Sequence, residues 1–211
     1  MDAARHLLDT PQLLALAAAL GWASGFRLYA VVFLTGLAGW TGWITLPPGL
    51  HMLQHPAMLG ASGFMLFIEF FADKIPGVDS LWDLVHTVVR IPAGAALAAG
   101  ALGADSTTMA TVAALLGGTL AATTHATKMT TRAAINTSPE PFSNMGMSLV
   151  EDGLVVGGLW LAATHPVLFG IALAIGLVLM VGLLVVLVKF LKALLQRLAK
   201  MFGGGASPET T

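Results

Sequence analysis

The chain has 211 residues, 56 % of them hydrophobic and 10 % charged, with 10 Lys plus Arg against 11 Asp plus Glu. Apolar runs this long and this numerous exceed what one soluble core buries, which places the chain among integral membrane proteins. The near-zero net charge argues against nucleic acid or a generally acidic partner, and the absence of cysteine excludes disulfides, thiolate metal sites and cysteine nucleophiles.

Residues 12–20 have the apolar character of a secretory leader. Asp2 and Asp9 beside Arg5, and an apolar run that continues to about residue 37, point instead to an uncleaved first span. Six segments read as spans, 13–37, 57–72, 84–102, 107–127, 145–164 and 167–188. The second is the shortest and is extended by tilting residues 52–56 into the interface. Pro11, Pro56 and Pro166 lie at or near span starts, where a missing N–H costs nothing. Residues 104–106 form a short turn, 189–202 alternate apolar and basic residues as an amphipathic helix at the interface, and 203–211 read as a disordered end. The expected fold is all-α, a polytopic membrane bundle of about six transmembrane helices in a single domain, 1–202. Six spans also permit two three-helix halves of inverted topology.

Orientation follows from Lys189, Lys192, Arg197 and Lys200 in the tail, because short cytoplasmic segments are enriched in Lys and Arg. With six spans both termini face the cytoplasm of a bacterial inner membrane, and the loop 38–56, which has no Lys, Arg, Asp or Glu, lies outside with Trp40 and Trp43 as interfacial anchors. Gly94, Ala98, Gly117, Ala121, Gly157 and Gly158 are small residues suited to close helix packing in lipid. Two glycines and a serine in 21–25, just before Arg27, mark a candidate break in the first helix.

The titratable residues crowd into a few places. Arg27 falls near the middle of its apolar run, where an arginine costs at least ~2.5 kcal/mol, so it needs an acidic partner, expected to be Glu69, Glu151 or Asp152. Glu69 and Asp73 share a helix face at the end of the second span, next to Lys74, and Pro76 ends that helix. Asp79, Asp83, His86 and Arg90 follow on one face of the third. His125, Lys128 and Arg132 give the fourth span a basic face, and the loop 136–144, with Glu140 and Asn144, leads to the adjacent carboxylates Glu151 and Asp152. Ser80 with Asp83, and Ser148 with Glu151, also have capping-box spacing. A single polar chamber facing the cytoplasm accommodates all of these charges with the fewest unpaired ones.

Residues 21–27, Glu69 through Pro76, Asp79 with Asp83, 90–92, Lys128 with Arg132, and 136–144 leading to Ser148, Glu151 and Asp152 together resemble a bacterial integral membrane family known as domain of unknown function four-one-two-six. The resemblance covers about residues 12–185 and implies a membrane bundle but no activity. A slighter likeness exists to cation exchangers built on paired Glu-x-Gly-Asp-Lys motifs. It departs from them in the spacing of Glu69 and Asp73 and in a second motif reduced to residues 151–153.

Two kinds of function fit. In a small transporter or ion-translocating protein, the carboxylates bind a cation or protons and Arg27, Arg90 and Lys128 are counter-charges. In a membrane enzyme acting on lipid phosphates, Asp79 and Asp83 hold a divalent metal while Lys128 and Arg132 clamp an anionic headgroup. A non-catalytic membrane subunit, or a homo-oligomer, is also compatible with this composition. The transporter reading is preferred over the enzyme, and nothing in the sequence calls for a cofactor. Its partners are the bilayer and a cation or proton, or an anionic lipid, rather than nucleic acid.

Overall fold

The computed structural model describes residues 9–102, 106–137 and 141–202. Six α-helices, α1 (Thr10–Trp40), α2 (Pro56–Ala72), α3 (Val78–Leu102), α4 (Thr107–Ile135), α5 (Pro141–Thr164) and α6 (Pro166–Phe202), follow one another, with a 3-10 helix, Pro48–Gln54, before α2. No strand occurs among the described residues. Each of the six expected segments lies inside one helix. Four of the helices, α1, α3, α5 and α6, are long and apolar enough to cross a membrane, and a fifth span results if the 3-10 helix and α2, bent by 69°, count as one. α4 has the length, but threonines and three basic side chains dilute its apolar character. The terminal segment 203–211, positions 104 and 105, and Glu140 lie outside the described residues.

α1 is the hub of the bundle, touching all five other α-helices and the 3-10 helix. A capping box, in which Asp9 and Gln12 exchange side-chain and backbone hydrogen bonds of 2.9 and 3.0 Å, starts it. Its composition of Ala, Gly and Leu lets neighbours approach closely. A Cβ added at Gly21 would come within 2.6 Å of the Gly117 Cα, so α1 and α4 meet backbone to backbone. Gly94, Ala98 and Ala121 extend this contact to α3. Gly158 packs against Trp22, whereas Gly157 faces open space and is not a packing residue here.

The segment between α1 and α2 is more than an external loop. Leu46, Leu50 and Leu53 are buried against α1, so the 3-10 helix folds back onto the bundle, while Trp40 and Trp43 stay exposed. At the other end of α2, Gly77 takes a positive φ of 86°, which lets the chain reverse tightly into α3. α3 begins at Val78 and α5 at Pro141, so Ser80, Asp83, Ser148 and Glu151 are inside helices rather than at the caps their spacing suggested. α6 runs unbroken through Lys189 to Phe202, and its most apolar stretch has no buried residue, leaving it peripheral and available to lipid.

Candidate functional site

The site grows from a break in α1. At Arg27 the backbone leaves helical geometry (φ −144°, ψ 80°), as the Gly and Ser before it had signalled. The guanidinium then reaches Asp73, just after α2, and Ser148, Glu151 and Asp152 on α5 at once. Four cationic side chains, Arg27, Arg90, Lys128 and Arg132, and five carboxylates, Glu69, Asp73, Asp79, Asp83 and Glu151, are at most 1 % exposed. Isolated, each would cost several kcal/mol to bury; they persist because each has partners.

Arg27 places Nη1 2.9 Å from Asp73 Oδ2 and Nε 3.0 Å from Asp152 Oδ1, with Glu151 further away at 4.0 Å. Its Nη2 donates to Ser148 Oγ at 2.7 Å. Glu151 and Asp152 were expected partners, but Asp73 was not, and Glu69 is not one. Glu69 sits one turn earlier on α2, about 5 Å along the axis, where it meets Arg90 Nη2 at 2.5 Å instead. Arg90 Nη1 also donates to Asp83 Oδ1 at 2.5 Å.

Lys128 occupies the centre. Its Nζ lies 3.0 Å from Asp73 Oδ2, 3.2 Å from Asp83 Oδ1, 3.3 Å from Glu151 Oε2 and 3.1 Å from the carbonyl oxygen of Phe26. Arg132 holds Glu151 in a two-pronged pair at 3.0 and 3.3 Å, and donates to the Asp73 carbonyl and to Asn144 Oδ1. Asn144 in turn donates to Asn136, and Asn136 to Asp79. Asp79 is therefore bound by amides and lies 3.9 Å from Arg132.

The histidines are at the edge of this network. His86 contacts the Tyr29 hydroxyl at 3.1 Å and stacks on Trp82, away from the carboxylates. His125 Nδ1 lies 3.3 Å from Arg90 Nη1; because a guanidinium only donates, Nδ1 accepts and Nε2 carries the proton toward Thr87. Asp79 and Asp83 face different partners, and no group of three or more His, Asp or Glu poised to hold a metal occurs among the described residues.

Two groups lie in the turn after α2. Burial pushes Asp73 up, but Lys128, Arg27 and Arg132 outweigh it and hold the carboxyl below its ordinary range. Lys74, half-buried with Nζ 3.0 Å above the Phe70 ring and 3.3 Å from Ser148 Oγ, is pushed below the ordinary lysine value by burial and by nearby Arg27.

Asp152 connects the network with the outside. Its side chain is 29 % exposed and lines a groove of about 500 Å³ between α1, α2 and α5, walled by Phe67, Phe70 and Phe71. From it, contacts of 3.2 Å or less run through Arg27, Asp73, Lys128, Asp83 and Arg90 to Glu69. Of the residues singled out in the sequence, all the described ones except His86 and Lys74 enter this carboxylate and cation network directly. The Phe26 carbonyl has no sequence signature, while Ser148, which has cap spacing, and Asn136, which follows α4, also join the network.

Neither a curated protein nor a solved structure matches the chain. The model of the family described as domain of unknown function DUF4126 matches residues 14–187, a stretch that contains every side chain of the network, and the chain belongs to that family.

Proposed function

We propose that the protein translocates a small cation or protons across a membrane, by way of the polar chamber between α1, α2, α3, α4 and α5. The observation that carries this reading is the charge count of the chamber. Its buried carboxylates exceed its buried cations by one, five against four, and the half-exposed pair Asp152 and Lys74 adds one of each sign. A net negative charge away from water calls for a mobile proton or cation to balance it. The break at Arg27 and the string of contacts from Asp152 inward support the same reading, since interrupted helices at mid-membrane are how transporters expose backbone to ions.

The lipid-phosphate reading is less well supported. The cations that an anionic headgroup would need, Lys128 and Arg132, are already neutralised by Asp73, Asp83 and Glu151. In this proposal the six helices all span the bilayer of a bacterial inner membrane, with both termini cytoplasmic.

Purified protein in liposomes should dissipate an imposed pH or cation gradient, and Glu69→Gln, which removes the carboxylate at the inner end of the string, should slow this at least tenfold. Equal rates for the two proteins with protons, monovalent and divalent cations would sink the proposal.

A further inference from the structure

We propose that the groove between α1, α2 and α5 is a phospholipid site, and that it selects a zwitterionic headgroup with a primary ammonium, as in phosphatidylethanolamine. The inference goes beyond the translocation reading and does not rest on it. The groove has a volume of about 500 Å³ and, Asp152 apart, is lined only by Gly, Ala, Leu, Val and Phe. It follows α2 from Gly63 to Phe71, about 12 Å along the axis. That length of apolar wall, with Phe67 and Phe71 more than half exposed, is a track for an acyl chain.

Two opposite charges at one end distinguish this groove from ordinary lipid-facing surface. Asp152 Oδ1 takes Arg27 Nε at 3.0 Å, while no ion pair or hydrogen bond among the described residues engages Oδ2, and the side chain is 29 % exposed. Lys74 Nζ lies over the ring of Phe70, a wall of the groove, and donates to the Phe70 carbonyl at 3.0 Å and to Ser148 Oγ at 3.3 Å. An ammonium has three protons, so one is left over, and Lys74 is in no ion pair among the described residues. Ser148 precedes Asp152 by one turn of α5, so both charges stand at the same end, near enough for Asp152 to act on Lys74 but not in contact with it. Lys74 suits the phosphate of any phospholipid. Asp152 narrows the choice, because it repels a headgroup that is only anionic and accepts a hydrogen bond that a quaternary ammonium, having no N–H, does not offer. A primary ammonium at Oδ2 also brings positive charge to a chamber whose buried carboxylates outnumber its buried cations, five against four. The headgroup then bridges Asp152 and Lys74, with one acyl chain running toward Gly63.

The test is native mass spectrometry of the full chain in detergent, titrated with phosphatidylethanolamine, its N-methylated and N,N-dimethylated forms, phosphatidylcholine and phosphatidylglycerol, all with the same acyl chains. Phosphatidylethanolamine should half-saturate one site at a roughly tenfold lower concentration than phosphatidylcholine or phosphatidylglycerol, the worth of one charge-assisted hydrogen bond. The methylated forms should fall in between. Lys74→Gln should weaken retention of every phospholipid, and Asp152→Asn should erase the preference for phosphatidylethanolamine over phosphatidylcholine. Equal half-saturation across the wild-type series overturns the proposal, since the retained lipid is then only a nonselective coat. A preference for phosphatidylglycerol that Lys74→Gln removes overturns it in favour of an anionic lipid. A phosphatidylethanolamine preference that survives both variants places the site elsewhere on the molecule and overturns it too. Where Asp152→Asn does not fold, the methylation series on the wild type decides the ammonium contact alone, and a flat series counts against it.

Discussion

At the scale of single residues, burial cost made the site legible and packing detail did not. Arg27, Glu69, Arg90, Lys128 and Glu151 stand out in the sequence because an ionised side chain in an apolar segment needs a partner. Which partner each one takes depends on depth differences of a single helical turn, and sequence spacing does not resolve these between helices. Arg27 is the example: its main partner is Asp73, in a turn, rather than Glu69 one turn deeper. Removing one member of a buried pair typically costs about 3–5 kcal/mol, because the other is left charged and alone. Arg27→Leu should therefore lower the unfolding midpoint in detergent, and Arg27→Leu with Asp73→Asn should regain part of the loss. Arg27→Leu with Glu69→Gln should regain none, because Glu69 pairs with Arg90, which would then keep only Asp83. Equal recovery from both double variants would show that the pairing is diffuse.

At the scale of helices, each apolar segment lies inside one helix, and the departures lie where hydropathy carries little information. The 3-10 helix Pro48–Gln54 sits in a stretch without charges that reads as a loop, and only its buried Leu50 and Leu53 reveal that it packs. Capping-box spacing at Ser80 and Ser148 was misleading because both helices start earlier, after the Gly77 turn and at Pro141. The break in α1 was legible from its Gly and Ser, but not its purpose of delivering a carbonyl and a guanidinium to the same chamber. Close packing holds that break in register. Gly117 faces Gly94 and Ala98 of α3 as well as Gly21 of α1, without room for a Cβ. Gly117→Val should destabilise by about 1–3 kcal/mol or more through overpacking, whereas Gly157→Val, which points into open space, should change stability by less than about 0.5 kcal/mol. Comparable midpoints for the two variants would contradict the backbone-to-backbone contact of α1 with α4.

At the scale of the whole molecule, the question is how many of the six helices cross the bilayer and which way. Length and apolar composition favour four or five, and α4 falls short because its apolar character is diluted by threonines and by the basic side chains of His125, Lys128 and Arg132. Those side chains are at most 2 % exposed and face internal partners rather than lipid, so their polarity does not burden the outer face of α4. Counting α4 as a span makes the number six. The turn after α2, the end of α4, the start of α5 and the end of α6 then share one end of the bundle. Lys74, Lys189, Lys192, Arg197 and Lys200 all belong to it, while 41–56 and His165 at the other end contribute no Lys or Arg. In the topology proposed above, that asymmetry puts the basic end on the cytoplasmic side. The chain has no cysteine of its own, so single cysteines report directly. An impermeant thiol reagent applied to intact cells should label Thr41→Cys, exposed just after α1, and should spare Thr137→Cys and Gln196→Cys, exposed after α4 and on α6. Labelling of Thr137→Cys together with Thr41→Cys would remove α4 from the spans, and labelling of Gln196→Cys with protection of Thr41→Cys would reverse the orientation of the whole bundle.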